Sequence, residues 1–296
     1  MTGHAPIGSC AGPITRRRAT RNEQLRKRAS EPATDLDRGD SDRQFVTALH
    51  RGLEILRAFR PSDKAGLGNS ELADRTGLPN STVSRLTFTL LKSGYLVYDD
   101  GTGRYRMGVP VLSLGYACLA GMQVRETAQV YMQKLADDCG DGVLVALGGR
   151  DDMAITYIAA ARSEGVISLQ LNVGSRISLA RSAMGRAYIA GTTETERAEI
   201  IERIRDRYPA DRLNEVLEGI HDAQEQIAAK GFYANIGGWQ KDVHAVSVPY
   251  ASQQPNTPML AFNLGGYAFS LTKERMENEL GPKLVDLARM VSRVGY

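Results

Sequence analysis

The stretch PNSTVSRLTFTLLKSGYL, residues 79–96, decides how the first part of the chain folds. At about 100° per residue, its apolar side chains fall on one side of a helix, where they would face a domain core. They are Val83, Leu86, Leu90 and Leu91. The other face carries hydroxyls, one arginine and one phenylalanine, and no Asp or Glu occurs between Ser81 and Lys92. The pattern predicts an amphipathic helix that starts at Asn80 or Ser81 and ends before Gly94, a suitable C-cap.

The neighbouring segments indicate a winged helix-turn-helix. FVTALHRGLEILRAFR (45–60) has apolar residues at helical spacing, and a short helix, NSELADRTG (69–77), follows a loop rich in Gly, Pro, Ser and Asp. We predict Asn69 or Ser70 as the N-cap of that short helix. After the helix of residues 79–96, the GTG sequence separates YLVYDD from RYRMG as a hairpin turn. Three helices followed by a hairpin are the outline of this fold.

The acid-free face predicts contact with DNA, because a surface that enters a groove lined by phosphates carries few negative charges. Hydroxyls near a helix N-terminus can bond phosphates or base edges, and Arg85 can present its planar fork to guanine O6 and N7. Phe88 has two interpretations, contact with thymine methyl groups or packing on the preceding helix. The predicted DNA-contacting residues are Ser70, Asn80, Ser81, Thr82, Ser84, Arg85, Phe88, Thr89, Arg104 and Arg106.

Plainer interpretations of the helix and of the hairpin stay open at this point. The helix is then a surface helix that happens to lack acids, and the hairpin is an exposed ribbon without a ligand. In the hairpin, Arg104 and Arg106 alternate with Tyr105, so both arginines would face one side of the ribbon. That arrangement favours a wing that touches backbone phosphates.

Predicted helices and strands alternate from about Arg125 to Tyr296. Strand candidates are GVLVALGG, MAITYIAAA, VISLQLNV, HAVSVPYA and PMLAFNLGGYA, and helix candidates are ETAQVYMQKLADDCG, LARSAMGRAYIAG, ETERAEIIERIRDRY, RLNEVLEGIHDAQEQIAAKG and TKERMENELGPKLVDLARMVSRVG. The mixture indicates an α+β domain, an antiparallel sheet with helices on its faces. We predict that the apolar run VPVLSLGYACLAGMQV (109–124) is a helix that is buried or contacts a second copy of the chain.

Composition narrows the class of protein. The hydrophobic content of 42% and charged content of 24% are those of a globular protein, and a net charge of +3 gives only weak support for nucleic acid. No apolar run reaches the roughly 18 residues that span a bilayer, so we predict no membrane contact. The 3 cysteines and 4 histidines share no metal-ligand spacing, which predicts no metal, no cofactor and a reducing, cytoplasmic location.

Residues 1–43 contain few apolar side chains. The basic TRRRATRNEQLRKRAS is followed by the acidic DLDRGDSD, so this segment nearly balances its own charge. We predict a disordered arm, either a solvated tail or a nonspecific phosphate-binding arm beside the DNA-binding unit. No apolar segment follows the arginines, so no export signal is predicted.

Three blocks of the sequence resemble the IclR family of bacterial transcription regulators. They are LHRGLEILRAF with SELADRTGLPNSTVSRLTFTLLKSGYL and YRMG; VGSRISLARSAMGRAYIAG; and KGFYANIGGWQKDVHAVSVPY leading to PMLAFNLGG. The blocks run in the family's order from about Phe45 to the C-terminus. The resemblance implies a winged-helix domain over residues 44–108, a linker helix over 109–123 and a GAF-like effector-binding domain over 124–296.

The resemblance also implies a homodimer or tetramer that binds double-stranded operator DNA and a small organic or aromatic acid. The effector-pocket positions of the family fall on Ile177, Ala183, Met184, Asn235, Val243, Ala245, Asn263 and Gly265, with Trp239 on the loop beside them. Met184 and Val243 also suit a core, and Trp239 is either a lid or a plain surface aromatic.

Three positions depart from the family's pattern. Gly238 stands where an acidic residue is common, Ala180 replaces a histidine, and Arg186 replaces a lysine. These departures argue against a tiny, highly charged ligand such as glyoxylate. Apolar walls with two amides favour a larger, partly apolar acid or aromatic compound.

An enzyme and a winged-helix protein that contacts only other proteins are the alternative classes. We find no GxSxG and no SxxK, and LGGRDD (147–152) lacks the spacing of a phosphate-binding glycine loop. The histidines lie beside no evident nucleophile. We therefore predict a ligand-responsive regulator without catalytic residues.

Overall fold

The computed structural model describes Met1 and residues 45–140, 142–165, 167–252 and 258–294. The chain divides into two compact units, Met1–Phe59 with Gly68–Leu90 and Arg60–Leu67 with Leu91–Tyr296. The predicted arm lies outside the described residues, apart from Met1.

The first unit is built from helices whose apolar stripes meet. Its described helices are α1 (Thr47–Arg57), α2 (Asn69–Thr76) and α3 (Asn80–Lys92). Each contributes a fully buried aliphatic side chain, namely Ile55, Leu72 and Val83. Thr87 is also buried, because its hydroxyl donates to the Val83 carbonyl at 2.9 Å and leaves no open hydrogen bond. Arg75 joins α2 to the end of α1 by donating to the Ala58 carbonyl at 2.9 Å.

The prediction of Asn69 or Ser70 as the N-cap of α2 is wrong. Gly68 is the cap, and its N–H donates to the Glu71 carboxylate at 2.8 Å. The helix ends at Gly77, whose φ of 68° is the left-handed conformation that glycine adopts without strain. The Asn69 side chain is therefore free of capping and bonds to α3 instead.

The second unit begins with a ribbon and a long exposed helix. Strands β1 (Leu96–Asp99) and β2 (Arg104–Met107) pair antiparallel, as the GTG turn predicts. Helix α4 (Val109–Ala120) has Pro in its first turn and no buried residue, although its side chains are mostly apolar. Of the two predicted alternatives, burial within the described part of the chain is wrong, and contact with a second copy stays a prediction.

The rest of the second unit is an α+β domain, as predicted. In the described residues its antiparallel sheet has the strand order β5-β4-β3-β8-β7-β6. The strands are β3 (Leu144–Asp151), β4 (Ala154–Arg162), β5 (Arg176–Ser178), β6 (Tyr233–Ile236), β7 (Val243–Tyr250) and β8 (Leu260–Tyr267). The helices are α5 (Gln123–Cys139), α6 (Ala183–Gly191), α7 (Glu194–Arg207), α8 (Ala210–Lys230) and, after turns at Lys273–Arg275 and Met276–Leu280, α9 (Gly281–Val294).

Helices cover both faces of this sheet. Alternate residues of β3 enter two separate cores, Val145 with α5 and α9 on one face and Leu144 with α6 to α8 on the other. This two-sided burial explains why β3 is an unbroken apolar run in the sequence. No helix in the described part of the chain is long and apolar enough to cross a membrane.

Three sequence predictions differ from the structure in this domain. The predicted strand VISLQLNV is not a strand over residues 167–173, because the Arg162 side chain bonds the carbonyls of Leu169 and Leu171 in place of a strand partner. The helix predicted from LARSAMGRAYIAG begins only at Ala183, since Ser182 caps it. Strands β5 and β6 were not predicted at all.

Side chains of α5 protect the open edge of β4. Beyond its short pairing with β5, β4 has outward carbonyls that no strand covers. One face of α5 carries three donors to these carbonyls. Arg125 donates to the Ile158 carbonyl at 3.1 Å, and Gln129 donates to the Ala160 carbonyl at 3.1 Å. Gln133 donates to the Arg162 carbonyl at 2.8 Å. The ladder satisfies the strand edge and fixes α5, which directly follows α4, to the sheet.

Candidate DNA interface and effector pocket

The outward face of α3 is exposed over its whole length. The exposed predicted contacts are Asn80, Ser81, Ser84, Arg85, Phe88 and Thr89, with Ser70 on α2, while Thr82 is half-buried. Phe88 keeps 60% of its side chain accessible, so packing on the preceding helix does not bury it. The first turn of α3 contains no acidic residue. The charged side chains exposed on this face are Arg85 and Lys92, and a face whose charges are all positive suits a phosphate-lined groove.

Within the first unit, part of this face is already bonded. The Ser84 hydroxyl donates to Asn69 Oδ1 at 3.2 Å and to the Asn80 carbonyl at 3.0 Å. The Thr89 hydroxyl donates back to the Arg85 carbonyl at 3.2 Å. These hydroxyls retain their oxygen lone pairs as acceptors, but their protons are occupied.

The two arginines of the ribbon in the second unit differ in exposure and in their partners. Arg104 is half-buried, and its Nε donates to the Gly66 carbonyl at 3.1 Å. Arg106 is exposed, and its guanidinium lies 3.8 Å from the Asp99 carboxylate. Arg106 is therefore the ribbon arginine whose geometry suits a phosphate, whereas Arg104 holds the loop before α2.

A cavity lies in the second unit between α6 and the sheet. Its walls are Tyr157, Leu169, Leu171, Ile177, Ser182, Ala183, Asn235, Trp239, Val243, Ala245, Asn263 and Gly265. The structure thus brings together every predicted pocket residue except Met184. Met184 is completely buried, and its sulfur packs against the backbone at Gly148.

Several polar side chains of the cavity are already bonded within the protein. Asn235 Nδ2 donates to the Arg181 carbonyl at 3.0 Å, and its Oδ1 accepts from the Gly238 N–H at 2.8 Å. The Ser182 hydroxyl donates to the Ser178 carbonyl at 2.6 Å and caps α6. Asn235 therefore holds the loop that carries Trp239, which is a positioning role.

Other polar atoms in the wall have no partner among the described residues. They are the Tyr157 hydroxyl, Asn263 Nδ2 and Trp239 Nε1, whereas Asn263 Oδ1 accepts from the Ser247 hydroxyl at 2.6 Å. Burial raises the pKa of the Tyr157 phenol well above its ordinary value, so the phenol keeps its proton. The atoms that remain for a ligand are thus hydrogen-bond donors without a formal charge.

The cavity is small in this structure. It encloses about 20 Å³, which is room for about one water molecule. An aromatic acid fits only if part of the wall moves outward. The wall segment Leu169–Asn172 has no strand partner and is held by Arg162, which donates to the Leu169 carbonyl at 3.2 Å and to the Asn172 side chain at 3.0 Å.

The start of α6 is held rigidly beside the cavity. Arg186 is buried, donates to the Ala180 carbonyl at 3.1 Å and to the Tyr233 hydroxyl at 2.7 Å, and lies over the Tyr233 ring. Gly219 of α8 makes room for it, because a Cβ there would lie 2.1 Å from the guanidinium carbon. The arginine at this position is thus a packing element of α6.

Tyr157, Leu169, Leu171 and Ser182 line the cavity but were not predicted. Alternation along MAITYIAAA placed Tyr157 on one face of a strand, yet nothing in the sequence says which face meets the cavity. Leu169 and Leu171 are two residues apart in VISLQLNV, and this spacing indicates that both side chains point to the same side of an extended segment. Among the described residues, no group of three or more His, Cys, Asp or Glu could hold a metal ion.

Comparison with known proteins identifies the family. Residues 48–100 match the model of the IclR helix-turn-helix domain, and residues 116–293 match that of the bacterial transcriptional regulator IclR C-terminal domain. The chain belongs to the IclR family of bacterial transcription regulators. The IclR family consists of DNA-binding regulators of transcription and not of enzymes. The two matched domains and the likeness to IclR-family structures confirm the predicted winged helix-turn-helix and α+β domains.

Named IclR-family relatives span most of the chain. The regulator TsaQ1/TsaQ2 of Comamonas testosteroni is 30% identical, over 84% of this chain and 88% of the relative. The crystal structure of an IclR family regulator from Brucella abortus is 39% identical, with a TM-score of 0.78 over 88% of this chain and 96% of that one. An IclR homologue from Microbacterium hydrocarbonoxydans complexed with 4-hydroxybenzoate shares the fold, at 18% identity and a TM-score of 0.60, over 84% and 96% of the two chains.

Proposed function

We propose that this regulator binds operator DNA through α3 and senses a small, partly apolar organic or aromatic acid in the cavity beside α6. The observation that carries the effector class is the set of unbonded donors in an otherwise apolar cavity. A carboxylate offers only acceptors and takes charge-assisted hydrogen bonds from neutral donors. The walls supply Leu169, Leu171 and Ile177 for the apolar part of such a ligand.

The proposed DNA contacts are side chains that the structure leaves exposed. The face of α3 supplies Arg85 and Phe88 for base edges and Ser81 for phosphates, and Arg106 of the ribbon supplies a second phosphate contact. The proposed domain limits are residues 44–108 for DNA binding, 109–123 for the linker and 124–296 for effector binding. The proposed location is the cytoplasm, where operator DNA is reached.

The proposed regulation is a shift between two states with different effector affinity. An effector that enters the cavity displaces the segment Leu169–Asn172, which is bonded to Arg162 of β4. The same strand is bonded to α5 by Gln129 and Gln133, and α5 follows α4 without a loop of more than two residues. We propose that this connection transmits the displacement to α4.

The test is a gel shift with the intergenic DNA upstream of the regulator's own gene. We expect retardation that weakens steeply as salt rises, since phosphate contacts release counterions. A scrambled duplex of equal length is the control. No specific, salt-sensitive retardation at this DNA or at neighbouring promoters would remove the support for the proposed function.

Tyr157→Phe is expected to weaken the binding of an aromatic acid by about tenfold or more, because a hydrogen bond to a charged group is worth roughly 1.5–3 kcal/mol. Calorimetry with benzoate, phenylacetate and 4-hydroxybenzoate provides the measurement. Tyr250→Phe, which removes a buried hydroxyl outside the cavity, is the matched control and should leave the affinity unchanged. Equal losses in both variants would argue against Tyr157 as a ligand contact.

We further propose a homodimer, or a tetramer built from dimers, joined through α4. A helix that is apolar on every side is normally buried. Here Val109, Leu112 and Tyr116 are 77%, 74% and 71% exposed. A second copy of the chain is the occupant that the family's symmetric DNA half-sites favour.

Leu112→Glu is expected to convert the dimer to a monomer, since two buried glutamates would face each other across a two-fold axis. Analytical ultracentrifugation measures the mass. Val130→Glu, at an apolar residue of α5 that is 70% exposed, controls for the charge itself. A Leu112→Glu variant that keeps the wild-type mass would show that α4 does not carry the dimer.

A further inference from the structure

We infer that Asn69 orients the side chain of Asn80 so that Asn80 presents an amide donor in the major groove and discriminates against cytosine. The inference rests on the proposed DNA binding through α3 and adds Asn69, which is not among the predicted contacts. Asn69 is the first residue of α2, and Asn80 is the first residue of α3. The two asparagines therefore lie at the N-termini of the two helices of the helix-turn-helix.

The hydrogen bonds between these residues fix the orientation of both amides. Asn69 Nδ2 donates to the Asn80 backbone carbonyl at 3.3 Å and to Asn80 Oδ1 at 2.9 Å. A backbone carbonyl can only accept, so the first of these bonds requires that the nitrogen of Asn69 faces α3. The oxygen of Asn69 then accepts from the Ser84 hydroxyl at 3.2 Å, which is consistent with that orientation.

The second amide follows from the first. Because Asn69 presents a donor, Asn80 must present its Oδ1 in return, and its Nδ2 points away from Asn69. Asn80 is exposed, and no described residue accepts a hydrogen bond from its Nδ2. An isolated Asn side chain turns its oxygen or its nitrogen outward with little preference. Asn69 thus selects the donor orientation.

An outward amide donor discriminates among base edges. Both purines present N7 as an acceptor in the major groove, and guanine adds O6. Cytosine presents its N4 amino group there, which is a donor and cannot accept from Asn80. Thymine presents O4, which is also an acceptor, so the locked pair disfavours cytosine at one position of each half-site and admits the other three bases.

In vitro selection from a random double-stranded DNA library tests this inference with the full chain. The wild type should enrich a motif that excludes cytosine at one position per half-site. Asn69→Ala and Asn80→Ala should both admit cytosine there while they keep the rest of the motif. On the selected duplex, anisotropy should show a loss of about 2-fold to 12-fold for each, which corresponds to the roughly 0.5–1.5 kcal/mol of one neutral hydrogen bond. The double variant should lose no more than either single variant.

Asn69→Asp gives a sharper outcome than loss of the side chain. The carboxylate can only accept, so Asn80 would turn its nitrogen inward and its oxygen outward. The preferred base should then change to cytosine or adenine, which present the N4 and N6 amino donors, although overall affinity falls because a negative charge is added near phosphates. Circular dichroism of each variant checks that the helices are retained.

Two results would overturn the inference in distinguishable ways. If Asn69→Ala lowers affinity equally for selected and scrambled duplexes and leaves the motif unchanged, Asn69 only links the two helices. If the wild type enriches no sequence, the proposed DNA binding through α3 is itself wrong, and so is the proposed role of Asn69 and Asn80.

Discussion

Gly185→Ala is expected to destabilise the effector-binding domain by about 3 kcal/mol or more, because overpacking against a rigid backbone has no cheap relief. A Cβ at Gly185 would lie 2.0 Å from the Leu179 carbonyl oxygen and 2.6 Å from the Leu179 Cα. Leu179 is fully buried and its N–H is bonded to the Met153 carbonyl at 3.2 Å, so it cannot retreat. The Ser182 hydroxyl bonds the Gly185 N–H at 3.0 Å, so the helix cannot slide either.

Thermal unfolding followed by circular dichroism measures this effect. A loss of about 3 kcal/mol lowers the Tm of a domain of this size by roughly 6–12 °C, and failure to accumulate as soluble protein agrees with a larger loss. Gly52→Ala is the matched control, since a Cβ at Gly52 in α1 meets nothing within 4 Å. It should be neutral or stabilising. A Gly185→Ala variant that unfolds within about 2 °C of the wild type would contradict the packing described for α6.

Arg85→Ala is expected to weaken binding to a specific duplex by about 1–3 kcal/mol if the guanidinium reads a guanine edge. Arg85 is exposed near the middle of α3, on the same face as Phe88. Arg85→Lys keeps the charge but loses the planar fork, so it should retain affinity for random DNA and lose specificity. Anisotropy titrations on specific and scrambled duplexes separate the two contributions. Equal losses on both duplexes would make Arg85 a phosphate anchor only.

Local periodicity predicted α3 well, because its buried and exposed faces depend on residues three and four apart. Val83 is buried and Ser81, Arg85 and Phe88 are exposed, as the spacing indicates. Thr87 lies four residues after Val83 and is buried on the same face, although no prediction was made for it. Its hydroxyl bonds its own helix, so its methyl group can be buried.

Interactions between distant segments explain most of the failures. VISLQLNV has the alternation of a strand, but Arg162 takes the carbonyls that a partner strand would bond. In α4, an apolar composition predicts burial, yet the described residues leave every side chain of the helix unburied. The absent strand and the exposed helix both depend on contacts between distant segments, so the local sequence could not predict either of them.

The pocket residues were predicted from family resemblance, and the roles of those residues required the coordinates. The sequence shows two amides, Asn235 and Asn263, that look equivalent. The structure distinguishes them, because both ends of the Asn235 amide bond the backbone, while Asn263 Nδ2 has no partner among the described residues. Which hydrogen bonds a side chain already makes is a property of the fold and is not visible in the sequence.

Occupancy of the cavity is expected to change the affinity for DNA. Anisotropy on a duplex selected by the wild type, titrated with a panel of aromatic and aliphatic acids, measures this coupling directly. We predict that an acid which binds by calorimetry shifts the DNA midpoint by about 5-fold to 150-fold, the usual range of allosteric coupling. Ala245→Trp, which fills the cavity, should abolish the shift. An acid that binds the wild type in the cavity and leaves the DNA midpoint unmoved would contradict the account.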